Sequence, residues 1–183
     1  MVILVYILLT AGAVRALAAD TQSDQLPAGC QPAGRQRIEY PLPSPGMLTD
    51  HPLYFLKLVR DKILEYLITD QVKKVEFDIL QADKFLSMSE IQFRSPGKTG
   101  YVAKTLTRSA EYSEKALADI EKIKTSGKSY RTDLKEKLLK SIGKHIEVTT
   151  LMTCENPSAD SGGAISGDIA RLKTLFEKAS GLK

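Results

Sequence analysis

The sequence predicts an all-α fold, an elongated antiparallel bundle of four to five helices that follows a signal peptide and a proline-rich strap. Three observations carry that expectation. Apolar residues recur at alternating spacings of three and four along several long runs, the signature of amphipathic helices. No stretch of useful length alternates apolar with polar residues in the manner of a strand. The breakers gather in a few short segments, Pro41 to Gly46, Ser95-Pro96-Gly97 and Ser126-Gly127, so the turns between the runs are short. Short turns between long amphipathic helices make sequential helices antiparallel neighbours.

At 183 residues, 43% hydrophobic and 26% charged, the chain has the composition of one globular domain with a sizeable core. Two cysteines exclude a disulfide-dense scaffold, and together with only two histidines they leave little material for a histidine/thiolate metal centre. No metal or other cofactor is expected.

The chain opens with a 13-residue apolar run, Val2 to Val14, followed by Arg15-Ala16-Leu17-Ala18-Ala19-Asp20. The run is too short to span a hydrocarbon core of about 30 Å comfortably, and Ala16-Leu17-Ala18 is a small-x-small cleavage pattern. Residues 1–18 therefore read as a signal peptide cleaved after Ala18, and the protein as extracytoplasmic, secreted or associated with the cell envelope. An uncleaved anchor is the rival reading. A lipid-bearing Cys30 is rejected, because Asp20 and Asp24 separate it from the apolar run and Pro27 stands where such sites want Leu.

Residues 19–40 read as a flexible lead and 41–152 as the helical domain, beginning with its strap. The strap is Tyr40-Pro41-Leu42-Pro43-Ser44-Pro45-Gly46-Met47-Leu48, where three prolines in five residues forbid a helix and favour extended chain. Leu42, Met47 and Leu48 are expected to lie on an apolar surface.

The first helix is expected to open at Asp50-His51-Pro52, with Asp50 as N-cap and Pro52 in the first turn, where its missing donor costs nothing. Its core stripe would be Leu53, Leu56, Val59/Arg60, Ile63 and Leu67. Thr69 or Asp70 caps a second helix with Val72, Val75, Ile79, Ala82, Leu86 and Phe93 on its seam and polar Ser89 in the remaining slot. The third helix carries Val102, Leu106, Ala110, Ser113, Leu117 and Ile120, and the fourth Leu134, Leu138, Ile142, Ile146 and Thr149. Residues 153–167 read as a flexible connector and 168–183 as a last helix with Ile169, Leu172, Phe176 and Ala179 on one face.

Nothing matches a nucleophile elbow, a phosphate loop, a zinc HExxH, a haem CxxCH or a calcium loop. The carboxylate pairs Asp78/Asp83 and Asp61/Glu65 are expected on solvated surface, His51 at an exposed helix start, and His145 packed beside a core stripe or partly exposed. Tyr54, Tyr66, Phe77, Phe85 and Phe93 could frame a ligand-stacking groove, but core and boundary packing explains them better. No catalytic residue is assigned, and an enzyme is not expected. Cys30 and Cys154 can pair chemically in an exported chain. Both lie in segments read as flexible, so free or intermolecular thiols are expected.

Net charge is +4, from 26 basic and 22 acidic side chains. Residues 57–93 hold 6 basic and 7 acidic side chains, residues 94–140 hold 12 and 6, so the second segment carries +6. That segment could be drawn weakly to an acidic surface, phospholipid or cell-wall polymer, although a lysine-rich solvated helix pair is the simpler account. Nucleic acid is not expected, since no platform of interleaved basic and aromatic residues is visible.

The block from Tyr40 through Pro45-Gly46-Met47-Leu48-Thr49-Asp50-His51-Pro52-Leu53-Tyr54 to Lys57, with Arg60-Asp61-Lys62-Ile63, Lys73-Lys74-Val75-Glu76 and Ala82-Asp83-Lys84-Phe85-Leu86, resembles a bacterial family of exported or membrane-tethered helical proteins, catalogued as domain of unknown function 5667. The likeness covers residues 40–150 and is most specific before residue 95. Thr49 stands where the family usually has Pro, and Phe85 where it has a basic residue. The resemblance implies an all-helical extracytoplasmic domain and no activity. Within it, Pro43, Pro45, Gly46, Pro52, Leu53 and Tyr54 are the motif positions, a structural strap or a docking site, with Leu53 and Tyr54 expected to pin the first helix to the bundle as a hydrophobic staple does. The functional expectation is a non-catalytic interaction or structural module whose partner is an envelope protein or a second copy. The alternative is an extracytoplasmic ligand-binding or sensory bundle.

Overall fold

Two antiparallel helical hairpins lie side by side in the computed structural model, which describes residues 37–127, 132–160 and 162–182. The first hairpin is α2 (Gln71–Arg94) with α3 (Val102–Thr125), and the second is α4 (Thr132–Glu155) with α5 (Ala164–Gly181). A shorter helix, α1 (Tyr54–Leu67), precedes them on the outside of the first hairpin. The described residues contain no strand. Residues 1–36, which hold the segment read as a signal peptide, most of the expected lead and Cys30, lie outside the described residues.

Each bundle helix forms where the sequence places a seam. Asp70 caps α2, its carboxylate accepting the backbone N–H groups of Val72 and Lys73 at 2.8 and 3.1 Å. Val75, Ile79, Ala82, Leu86 and Ser89 are buried along α2, and all six predicted seam residues of α3 and all five of α4 are buried. On α5 the buried face is Ile165, Leu172, Leu175 and Ala179, while Phe176 stays 38% exposed. The α4–α5 connector is shorter than the 153–167 expected, since α4 runs to Glu155 and Pro157–Asp160 make one 3-10 turn. Asp160 reaches across that turn to accept the N–H groups of Ile165 and Ser166, a cap supplied from outside the helix.

α2 packs against α3 and α4, and α5 against α3 and α4, so the four form a closed bundle. Val75 and Ile79 share one core cluster with Leu134 and Leu138, and Leu86 shares the next with Val148 and Met152, so α2 and α4 run parallel. Likewise Thr107 bonds Asp168 and Glu114 pairs with Arg171, which makes α3 and α5 parallel. α3 and α4 are antiparallel as well, so successive bundle helices alternate in direction as expected. These two, however, stand across the bundle diagonal rather than side by side.

Two apolar clusters fill this bundle, one around Ile120, Leu138 and Leu172, the other around Leu86, Leu106 and Ile165. Between them lies a polar layer drawn from three helices. Asp83, fully enclosed, accepts from Ser141 Oγ at 2.6 Å and pairs with His145 Nε2 at 3.0 Å, while its other oxygen accepts the Tyr40 hydroxyl at 2.6 Å. Ser109 Oγ sits 3.1 Å from His145 Nδ1 and donates to the Ala82 carbonyl at 3.0 Å. Burial and the bond to Asp83 together hold the Tyr40 hydroxyl in its protonated form by raising its pKa.

The proline segment is a strap, as expected. It runs extended across α2 and α4, fastened by backbone groups and by one side-chain hydroxyl. Ile38 N–H donates to Glu147 and its carbonyl accepts from Lys144, Pro43 carbonyl accepts from Ser87 at 2.8 Å, and Thr49 Oγ1 accepts from Gln92. Leu42 and Leu48 rest against core clusters, while Met47 is 36% exposed. Gly143 allows the closest approach, because a Cβ there would stand 2.8 Å from the Ile38 side chain.

Candidate interaction surface

The α1 helix is amphipathic in the expected register but turned the other way. Its buried face is Tyr54, Lys57 and Asp61, whereas the predicted core stripe faces solvent. Leu53 is 48% exposed, Leu56 50%, Val59 52%, Ile63 54% and Leu67 64%, and Phe55, Leu64 and Tyr66 join them. Taking roughly 200 Å² for a fully exposed large apolar side chain, these eight present on the order of 900 Å² of one continuous surface. Scattered exposed leucines are normal in soluble proteins, but a patch of that extent on one short helix is not.

The inversion has a local cause. Lys57 Nζ donates to the Pro45 carbonyl at 2.9 Å and to the Met47 carbonyl at 3.2 Å, and Gly46 between them adopts φ +68°, the left-handed conformation that turns both carbonyls the same way. Its ammonium also lies 5.5 Å above the Tyr54 ring and 6.0 Å above Phe85. Burial lowers the Lys57 pKa. Below it, Tyr54 packs with Phe85 and Met88, and Phe85 stacks on Tyr112 at 5.6 Å. Farther along, Glu65 accepts from Lys62 at 3.0 Å and from Lys115 of α3 at 3.1 Å; burial alone would raise its pKa, and the two ammonium groups outweigh that and lower it. A polar anchor thus fixes one face of α1, and the opposite, apolar face is left outward.

The motif positions divide accordingly. Pro43 and Pro45 offer their carbonyls to Ser87 and Lys57, Gly46 makes the turn, and Tyr54 is 8% exposed under the helix. Pro52 and Leu53 are exposed, so the staple expected from Leu53 does not form. The helix opens at Tyr54 and lacks a side-chain cap, since Asp50 turns instead to Lys98 at 2.7 Å and His51 Nδ1 accepts the Leu53 N–H at 3.1 Å.

The carboxylates read as solvated surface are a second correction. Asp61, Asp78 and Asp83 are all buried, Asp61 on the bundle-facing side of α1 and Asp83 against Ser141 and His145 of α4. Asp78 is fully enclosed and neither of its oxygens has a hydrogen-bond partner. Burial, with the nearby Asp119 charge second, pushes its pKa up to about 6.

The Asp83–His145–Ser109 alignment has the members of a nucleophilic triad but a different chemistry. Ser109 Oγ already donates its proton to Ala82 and is 2% exposed, so it has neither a free proton to pass to His145 nor room for an acyl group. The arrangement closes hydrogen bonds inside a core. An open cleft of about 250 Å³ lies beside the strap, lined by Arg37, Tyr40, Glu90, Phe93, Arg94, Lys144 and Glu147 among others. Its charged groups apart from Glu155 are matched in the pairs Arg94–Glu90, Lys144–Glu147 and Arg37–Glu147. The described residues hold no cluster of three or more metal-ligating side chains. None of them forms a helix long and apolar enough to cross a membrane. Among the described residues no cysteine is free; Cys154 is disulfide-bonded, which corrects the expectation of an unpaired thiol there.

No family model, no curated protein and no solved structure matches the chain.

Proposed function

We propose that the protein is a non-catalytic interaction module of the extracytoplasmic space. The observation that carries this reading is α1, whose eight large apolar residues face outward while its polar side is fastened to the bundle. A helix in that orientation leaves its burial to something outside the fold. The apolar run Val2 to Val14 and the Ala16-Leu17-Ala18 pattern support export. The Pro-Gly strap is the device that presents the helix: Lys57 binds the turn carbonyls, so strap and helix move as one piece.

Native mass spectrometry of the protein purified gently from its own envelope or medium tests the reading, run beside a variant with Phe55→Ser and Ile63→Ser. Both side chains are exposed, so the variant keeps its fold. A bound species, lipid, second copy or other polypeptide, that is present on the native protein and lost from the variant is the expected result. A clean monomer from both samples, with no lipid adduct, would refute the reading.

A further inference from the structure

We infer that the apolar face of α1 seats on an anionic lipid surface, the helix lying in the plane of the headgroups. This rests on the interaction-module reading and names its partner. Three features select lipid over a second protein helix. The exposed apolar residues cover about half of the helix circumference at 3.6 residues per turn. A partner helix covers a stripe of roughly 100°, whereas a hydrocarbon boundary accepts the whole half-cylinder. The half-cylinder also carries Phe55, 58% exposed, and Tyr66, 88% exposed, at the positions where interfacial helices place their aromatic anchors.

Charge is the third feature. Arg60 and Lys62 stand on α1 itself with 61% and 71% of their side chains exposed, and Lys115, 44% exposed, reaches it from α3. Arg60 pairs with Asp61 at 2.7 Å and the two lysines share Glu65, so these three cations exceed their two carboxylates by one. Lys84 and Arg108 flank the N-terminal half, Lys84 close enough to act on Lys57 and Arg108 lying 5.9 Å above Phe85. The neighbouring carboxylates face inward: Asp61 and Asp78 are buried, and Glu65 is held between two lysines. An apolar half-cylinder with Arg60 within it, the other cations at its margins and a surplus of positive over negative charge fits phosphatidylglycerol-like headgroups. A second copy would bring the same cations against themselves. Here the chain needs no helix able to span a bilayer, because the binding is planar.

The chain as purified from its host is mixed with vesicles of equal parts phosphatidylcholine and phosphatidylglycerol, and separately with pure phosphatidylcholine, and sedimented. Partitioning should be roughly tenfold stronger to the anionic vesicles and fall severalfold at high salt. Phe55→Ser with Ile63→Ser should reduce it by at least about tenfold, with an unchanged melting curve. Since the chain has no Trp, Tyr66→Trp gives a clean reporter, whose emission should shift to the blue and be quenched by brominated acyl chains. Binding that survives Phe55→Ser with Ile63→Ser, or a Tyr66→Trp reporter that stays in water, would overturn the proposal. If vesicles are ignored while light scattering shows a dimer that the double variant dissolves, the lipid is wrong and the interaction-module reading stands. A monomer that binds no vesicle overturns the lipid proposal, and the interaction-module reading then stands or falls by whether the native protein carries another polypeptide.

Discussion

Lys57 Nζ lies 2.9 Å from the carbonyl oxygen of Pro45, and this bond decides which side of α1 faces the bundle. A lysine on a buried face is costly unless its donors are satisfied. Here two carbonyls of a Pro-Gly turn and two aromatic rings satisfy it, so the helix docks by its polar side. Lys57→Met keeps the stem and removes the donors. It should lower stability by about 1–3 kcal/mol, the cost of leaving buried acceptors unmade. For a chain of this size that is a drop of several degrees in Tm, measured by calorimetry. An unchanged Tm would mean that the strap and helix are held by packing alone.

Tyr54 separates packing from polarity at the same contact. Its ring is buried with Phe85 and Met88, and its buried hydroxyl lies near the Arg108 guanidinium without a well-formed hydrogen bond. Tyr54→Ala should cost about 3 kcal/mol, near the usual price of removing a buried aromatic. Tyr54→Phe should be neutral or stabilising by about 1 kcal/mol, since it deletes an unsatisfied group. Chemical denaturation of the two variants checks both signs. If Tyr54→Phe proved strongly destabilising, the hydroxyl would have a partner in solution.

The polar layer predicts a larger loss. Asp83 answers three donors, Tyr40, Ser141 and His145, that come from the strap and α4. Asp83→Ala would leave all three without an acceptor inside the core, at about 3–5 kcal/mol. Loss of the strap should accompany it, seen as faster amide exchange at Ile38. A variant with wild-type stability would show that water enters the layer freely.

How far the sequence could be read depends on what each stripe faces. On α2, α3 and α4 a seam of alternating three and four spacing meets a single core, so Ile79, Leu106 and Leu138 are inside as expected. The same spacing on α1 picks out the correct stripe and the wrong side, because periodicity reports amphipathicity and not direction. A cue did exist: Tyr54, Lys57 and Asp61 recur at three and four on the opposite face, next to a Pro-Gly turn rich in carbonyls. Asp83, Ser109, Ser141 and His145 were equally visible as polar residues abutting seam positions on three helices. One chain position at a time Asp83 reads as surface and His145 as packed beside a core stripe or partly exposed, and only the parallel pairing of α2 with α4 brings them together. That α3 and α4 stand across the bundle diagonal leaves no trace in turn length.

Asp78 gives the pH dependence. Its pKa rises from the ordinary 3.8 to about 6 because the folded state buries its carboxylate, with the Asp119 charge adding to the effect. Below pH 3.8 the group is protonated whether the chain is folded or not, and it costs nothing. Between pH 3.8 and about 6 the folded state holds a proton that the unfolded state has released, so stability falls as pH rises through that window. Above it the penalty is complete. Asp78→Asn removes the charge and should stabilise the protein by about 1–2 kcal/mol at neutral pH, after allowance for screening, and by almost nothing near pH 3.5. Denaturant midpoints of the native protein and the Asp78→Asn variant, measured across this range, should converge in acid and separate toward neutrality. Parallel curves would show that Asp78 finds a cation or water in solution and is ionised throughout.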